Sequence, residues 1–256
     1  MAIGYGFCYL MQMSDCRAAE QRAHAMQGAI AMTEDDAGLR EAMVTQQLIR
    51  RGIQDERVLK AMCEIPRHRF VPERYRSGAY EDMPLPIGHD QTISQPLMVA
   101  VMTEALRLRG DERILEIGTG SGYQAAVLAR LATVVFTIER VPELAAHARA
   151  ILAMLAIMHV HVLVGDGTLG LPEHAPYDGI IVSAGAPKIP GVLIAQLKAG
   201  GRLVIPVGNR VEQTLVRVTK TGSATQTEHL GGCRFVPLIG AHGWHEADIE
   251  KGAEPL

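Results

Sequence analysis

The sequence is poor in cysteine and has no cysteine motif. Cys8, Cys16, Cys63 and Cys233 are scattered, with no C-x-x-C pair. That spacing excludes a disulfide framework and a cysteine zinc site, and it suits a reducing compartment, so a cytoplasmic protein is expected. An excess of one charge is also missing. The formal net charge is −3 over 256 residues, so nothing steers the chain towards nucleic acid or an anionic membrane. No apolar run approaches the ~20 residues of a membrane span, and no internal repeat is visible. The opening MAIGYGFCYLMQM has no positive charge ahead of it and no A-x-A site close behind, so it does not read as a secretory signal. His159 and His161 could share one strand face, but no third ligand is near and no metal site is expected.

What is present is 48% hydrophobic residues, enough for a substantial core. The chain is organised around Arg113 to Gly122, RILEIGTGSG. Ile114, Leu115 and Ile117 read as a short strand buried on both faces. Gly118, Gly120 and Gly122 alternate with Thr119 and Ser121, so the backbone can turn sharply and approach a ligand. Tyr123 to Arg130 reads as a helix. Strand, glycine turn and helix build a cofactor crevice at the carboxyl end of an open α/β sheet. A dinucleotide usually takes G-x-G-x-x-G, whereas this loop is G-x-G-x-G followed by Tyr123. Glu116, two residues before the first glycine, would repel a pyrophosphate and attract a cation. S-adenosylmethionine, with its amino and sulfonium groups, fits that preference. A tight strand–helix turn without a ligand is the plain alternative for the loop alone.

Two further acids follow at matching places. Val134 to Ile138 is a second strand, ending on Glu139 with Arg140 beside it. An acid there, about 20 residues after the loop, can accept from ribose hydroxyls. Val160 to Val164 is a third strand, followed by Asp166 and Gly167, where the acid can accept from an adenine amino group. Either acid alone could be a solvated strand end or a helix cap. Three acids after successive strands should lie along one rim of the sheet.

Residues 1–33 read as a dispensable extension, with Met13, Met26 and Met32 as alternative starts and Gln12 to Ala31 as a frayed helix. Residues 34–245 are expected to form one domain, with a helical cover (34–108) and a Rossmann-like core (109–245), followed by a polar tail (246–256). Within the cover, Gly52 should break a first helix and Asp55 should cap a second. Pro66 to Gln95 reads as a long ordered loop. Pro96 suits the first turn of the next helix, which makes Ser94 or Gln95 its cap. After the third strand, Gly179 to Val182 and Arg202 to Val207 continue the sheet. Thr214 to Thr219 reads as an antiparallel edge, and Leu238 and Ile239 as its closure. The expected class is α/β, a doubly wound, mostly parallel sheet with an antiparallel C-terminal edge.

PLPIG (84–88), QTISQP (91–96), LEIGTGSGY (115–123) and RFVPL (234–238) together resemble the protein-L-isoaspartate (D-aspartate) O-methyltransferase family. The resemblance runs from about Met43 to Trp244. It implies a class I S-adenosylmethionine-dependent methyltransferase that acts as a monomer on isoaspartyl-containing proteins and peptides. The reaction would esterify the α-carboxylate of L-isoaspartyl, and to a lesser extent D-aspartyl, residues and so begin their repair through a succinimide. The resemblance gives Ser94 the active-site role, with Ile93 and Gln95 beside it. Val236, Pro237 and Leu238 form the substrate groove; the glycine loop, Glu139, Asp166 and Gly167 hold the cofactor. A carboxylate is already ionised at neutral pH, so no general base is needed, and Ser94 would position it by a hydrogen bond. The longer N-terminal extension and the Ala-Ile-Met-His before Val160 depart from the family pattern. A methyltransferase with another acceptor, or a non-catalytic adaptor on the same fold, remain alternatives.

Overall fold

The structure, a computed structural model, describes residues 34–247. The expected extension of residues 1–33, its frayed helix and most of the polar tail lie outside the described residues. The chain divides into two compact units at Leu39/Arg40. Of the first, residues 34–39 are described, the opening of helix α1 (Glu34–Ala42).

The second unit begins with the end of that helix. A π-helical segment (Met43–Leu48) and a 3₁₀ turn (Ile49–Arg51) follow. Gly52, at φ +96°, stops the run, as its place in the sequence suggested. Helix α2 (Glu56–Glu64) starts where expected: the Asp55 carboxylate accepts from Arg57 N at 2.9 Å and Val58 N at 3.4 Å. Asp55→Ala should lower stability by about 1 kcal/mol in a denaturant titration, the usual loss for an N-cap.

The stretch from Pro66 is ordered, but it is not one long loop. Two 3₁₀ turns (Arg67–Phe70, Glu73–Gly78) precede an antiparallel ribbon of β1 (Leu85–Gly88) and β2 (Gln91–Ile93). His89 and Asp90, at the ribbon's tip, both have positive φ, the backbone that twisted two-residue hairpins need. Helix α3 (Pro96–Ala105) follows.

Seven strands then form one sheet in the order β5-β4-β3-β6-β7-β8-β9. β3 (Arg113–Ile117), β4 (Val134–Glu139), β5 (Val160–Val164), β6 (Tyr177–Val182) and β7 (Leu197–Gly208) are parallel. β8 (Gln213–Thr221) and β9 (Ala224–Cys233) pair antiparallel. Helices α4 (Tyr123–Leu128), α5 (Pro142–Met154) and α6 (Gly191–Ala195) complete the architecture. Alternate residues of the parallel strands enter two cores. Ile114, Val135 and Ile181 pack with α2, α3 and α4, and Leu115, Ile117, Ile180 and Val182 pack with α6. Both faces are covered, which is why these strands read as unbroken apolar runs. The same alternation turns Glu116 to the α3–α4 side.

Two expectations about the sheet's end are corrected. The edge is β9, not the 214–219 segment. Its sequence ATQTEHLGGC is mostly polar and exposed, so it carried no apolar pattern. Leu238 and Ile239 do not close the sheet. Their segment crosses the carboxyl ends of the strands: Gly185 N donates to Val236 O, and Leu238 N donates to Gly185 O, each at 2.8 Å. Of the segment expected as a helical cover, α2 packs on α3 and α4, and Gln91 to Ser94 and Val99 line the crevice.

Candidate active site

The glycine loop after β3 folds back on β4. Gly118 N donates to Ile138 O at 2.9 Å, and Gly122 N to Thr119 O at 2.8 Å. Gly118, Gly120 and Gly122 take φ of +89°, +51° and +87°, a backbone that other residues adopt only at a cost. Gly122 also has little room for a side chain, because a Cβ there would stand 3.1 Å from that of Ala148 on α5.

Beside the loop lies a cavity that opens to solvent. Most of the residues singled out from sequence line it: Ile93, Ser94, Glu116, Gly118, Thr119, Gly120, Ser121, Glu139, Arg140, Gly167, Val236, Pro237 and Leu238. Three do not. Gly122 lies under the loop against α5. Gln95 faces an outer groove that Ser94 shares. Asp166 faces an adjoining hollow with Arg140, Trp244 and His245.

Glu116 is fully buried. Its Oε2 accepts from Thr137 Oγ1 at 2.6 Å, and its Oε1 has no hydrogen-bond partner among the described residues. Burial pushes the carboxyl up to about 8; Thr137 opposes the shift and the Glu139 charge adds to it. Thr137 also meets Thr119 Oγ1 at 2.7 Å. With Glu116 ionised, the single Thr137 proton goes to the carboxylate, so Thr119 donates to Thr137. Thr137 was not singled out from sequence. The signal was there in β4, as the one polar side chain between Val134 and Ile138, and it pairs with Glu116 across the ladder.

Glu139 secures the loop. Its Oε2 accepts from Gly120 N at 2.8 Å and its Oε1 from Val141 N at 3.0 Å. Each oxygen keeps a lone pair for a second donor. Asp166 anchors the segment beside the adjoining hollow. Its Oδ1 accepts from Thr168 N at 2.9 Å and Thr168 Oγ1 at 2.6 Å, and its Oδ2 from Ala241 N at 2.8 Å. Burial alone would raise this carboxyl, but the hydrogen bonds from Thr168 and Ala241 outweigh burial and hold it below the ordinary aspartate value. Gly240 touches the same carboxylate: a Cβ there would lie 2.1 Å from Asp166 Oδ1. Gly240→Ala should lower stability by about 1–3 kcal/mol in a denaturant titration. An unchanged midpoint would mean the segment is not seated on Asp166.

Ser94 is half-buried at the mouth of the cavity. It does not cap α3. The cap position is Gln95, with no side-chain hydrogen bond, and Pro96 fills the first turn. The Ser94 hydroxyl has no hydrogen-bond partner among the described residues. Opposite, the buried Gln213 side chain fixes the wall, accepting from Phe235 N at 2.8 Å and donating to Phe235 O at 3.2 Å. His159 turns to the Ala129 carbonyl, at 2.6 Å, while His161 stacks on Phe136. Among the described residues no three His, Cys, Asp or Glu side chains converge as a metal site.

The family model for protein-L-isoaspartate(D-aspartate) O-methyltransferase matches residues 39–243. The chain belongs to this family. The protein-L-isoaspartate O-methyltransferase of Syntrophotalea carbinolica is 56% identical over 208 residues, covering 81% of this chain and 96% of that one. A solved protein-L-isoaspartate O-methyltransferase superposes with a TM-score of 0.73 at 33% identity, covering 80% of this chain and 67% of its own. A Plasmodium falciparum protein assigned to the same enzyme class, solved with S-adenosyl-L-homocysteine, gives 0.68 at 26% identity, covering 78% and 98%.

Proposed function

We infer that the chain is an S-adenosylmethionine-dependent protein-L-isoaspartate O-methyltransferase. The observation that carries this is Glu116: a buried carboxylate with one unpartnered oxygen, among the residues that line a cavity under a glycine loop. Such an oxygen suits a cationic ligand and opposes a pyrophosphate.

When bound, S-adenosylmethionine supplies an electrophilic methyl group. The chain's residues do the rest. The loop Gly118–Gly122 offers close backbone approach, with Thr119 and Ser121 at its surface. Glu116 meets the positive charge, and Thr137 and Thr119 orient it. Glu139, with Arg140 beside it, takes the ribose side through its remaining lone pairs. Gly167, next to Asp166, leaves room for the adenine edge. Ser94, with Ile93 and Gln95 beside it, donates a hydrogen bond to the acceptor carboxylate. That group is ionised at neutral pH and needs no base, so alignment and partial exclusion of water carry the rate. Val236, Pro237 and Leu238 form the wall against which the peptide lies. Product ester at an isoaspartyl residue starts repair of the damaged protein. Among the described residues no helix is long and apolar enough to cross a membrane. A cytoplasmic monomer that binds no nucleic acid is the form we propose; Cys63 and Cys233, both unpaired, fit a reducing compartment.

The test is methyl-ester formation, read as methanol released, on an isoaspartyl peptide beside its normal aspartyl twin. Turnover confined to the isoaspartyl member is expected. Equal turnover on both, or on neither, would overturn the substrate assignment.

A further inference from the structure

The cavity opens at Ser94 into a wider groove, which shares Thr92, Ser183, Val236 and Pro237 with it. The groove differs in charge from the molecule as a whole. The chain carries a net charge of −3, yet the groove is lined by three arginines, Arg51, Arg210 and Arg234, and by one acid, Asp90. Asp82 pairs with Arg51 and offsets it. Arg234 is exposed and makes no ion pair or hydrogen bond with any described residue. It directly precedes Phe235, which Gln213 holds in place, so its backbone has a fixed position beside the substrate wall.

We propose that this groove selects isoaspartyl peptides with an acidic side chain next to the isoaspartyl residue, and that Arg234 is the residue that reads it. The proposal rests on the function inferred above. The occupant follows from continuity and charge. The groove runs into the cavity at the hydroxyl that would meet the reacting carboxylate, so the chain flanking that carboxylate lies along it. An unpaired cation at its wall favours an anion there, and salt screens the preference because the pair is exposed.

The experiment compares isoaspartyl peptides that differ only in the flanking residue, Glu, Ala or Lys, with the wild-type protein and Arg234→Glu. The expected order of KM at low salt is Glu below Ala below Lys, with about threefold to tenfold between the extremes. kcat should be the same for all three, and the spread should collapse in high salt. Arg234→Glu should reverse the order of KM. Equal KM for the three peptides, or an order unaffected by Arg234→Glu, overturns the proposal while leaving the activity standing. Absence of turnover on every peptide removes the activity and the proposal with it.

Discussion

The affinity for S-adenosylmethionine should rise with pH up to about 8 and level off above it, and Glu116→Gln should abolish that slope. In the unliganded protein, burial without a counter-charge keeps the Glu116 carboxyl protonated below this value. A cation favours the ionised form, so binding must expel the proton, and affinity falls as pH falls, by at most about tenfold per pH unit. The groups facing this carboxyl are Thr137, which donates to it, and Glu139, whose charge opposes ionisation. The ligand's own titration is common to wild type and variant and cancels in the comparison. On the plateau, Glu116→Gln should weaken binding at least about tenfold, the loss expected for a charge-assisted contact. Calorimetry in two buffers of different ionisation heat reads both the affinity and the proton released. A second sign follows. The folded state holds this proton more tightly than the unfolded chain, so the unliganded fold should lose stability as pH rises from 4.5 through about 8, opposite to the trend for a salt-bridged acid. A flat affinity profile, or the same slope in Glu116→Gln, would remove Glu116 from the cofactor's charge balance.

Ser94→Ala should lower turnover about 10- to 100-fold while leaving cofactor affinity within a few fold. The hydroxyl is outside the helix cap and makes no hydrogen bond within the described protein, so removing it should leave α3 intact. What is lost is one hydrogen bond to a charged acceptor, worth about 1.5–3 kcal/mol. Steady-state kinetics on an isoaspartyl peptide and calorimetry with the cofactor separate the two quantities. Ser94→Thr should recover part of the activity, since it restores a donor. Wild-type turnover in Ser94→Ala would end the positioning role.

The parallel half of the fold was legible because strands buried on both faces leave apolar runs, and because glycine loops and acids mark their carboxyl ends. The antiparallel end was not. β9 is exposed along most of its length, so selection for apolar residues leaves no trace in ATQTEHLGGC. Similarly, Leu238 and Ile239 are apolar in a segment that seals the strand ends, and from sequence they looked like the closure of the sheet. The acids divide in the same way. Glu116 and Glu139 could be placed by their spacing from the glycines. Asp166 was singled out too, but it lines an adjoining hollow, and its oxygens already take three donors from Thr168 and Ala241, a contact between segments far apart in the chain that no local pattern announces. Thr137 was missed for the opposite reason: a single threonine in a strand is ordinary until its ladder partner is known to be a buried glutamate.

The central claim is that a cationic methyl donor lies against Glu116 under the glycine loop, with the acceptor carboxylate at Ser94. A crystal structure with S-adenosylhomocysteine and an isoaspartyl peptide tests it most directly. The account predicts the ligand's ammonium-bearing end beside Glu116 and the peptide carboxylate within hydrogen-bond distance of Ser94 Oγ. A ligand lodged elsewhere, or a carboxylate held away from that hydroxyl, would contradict it.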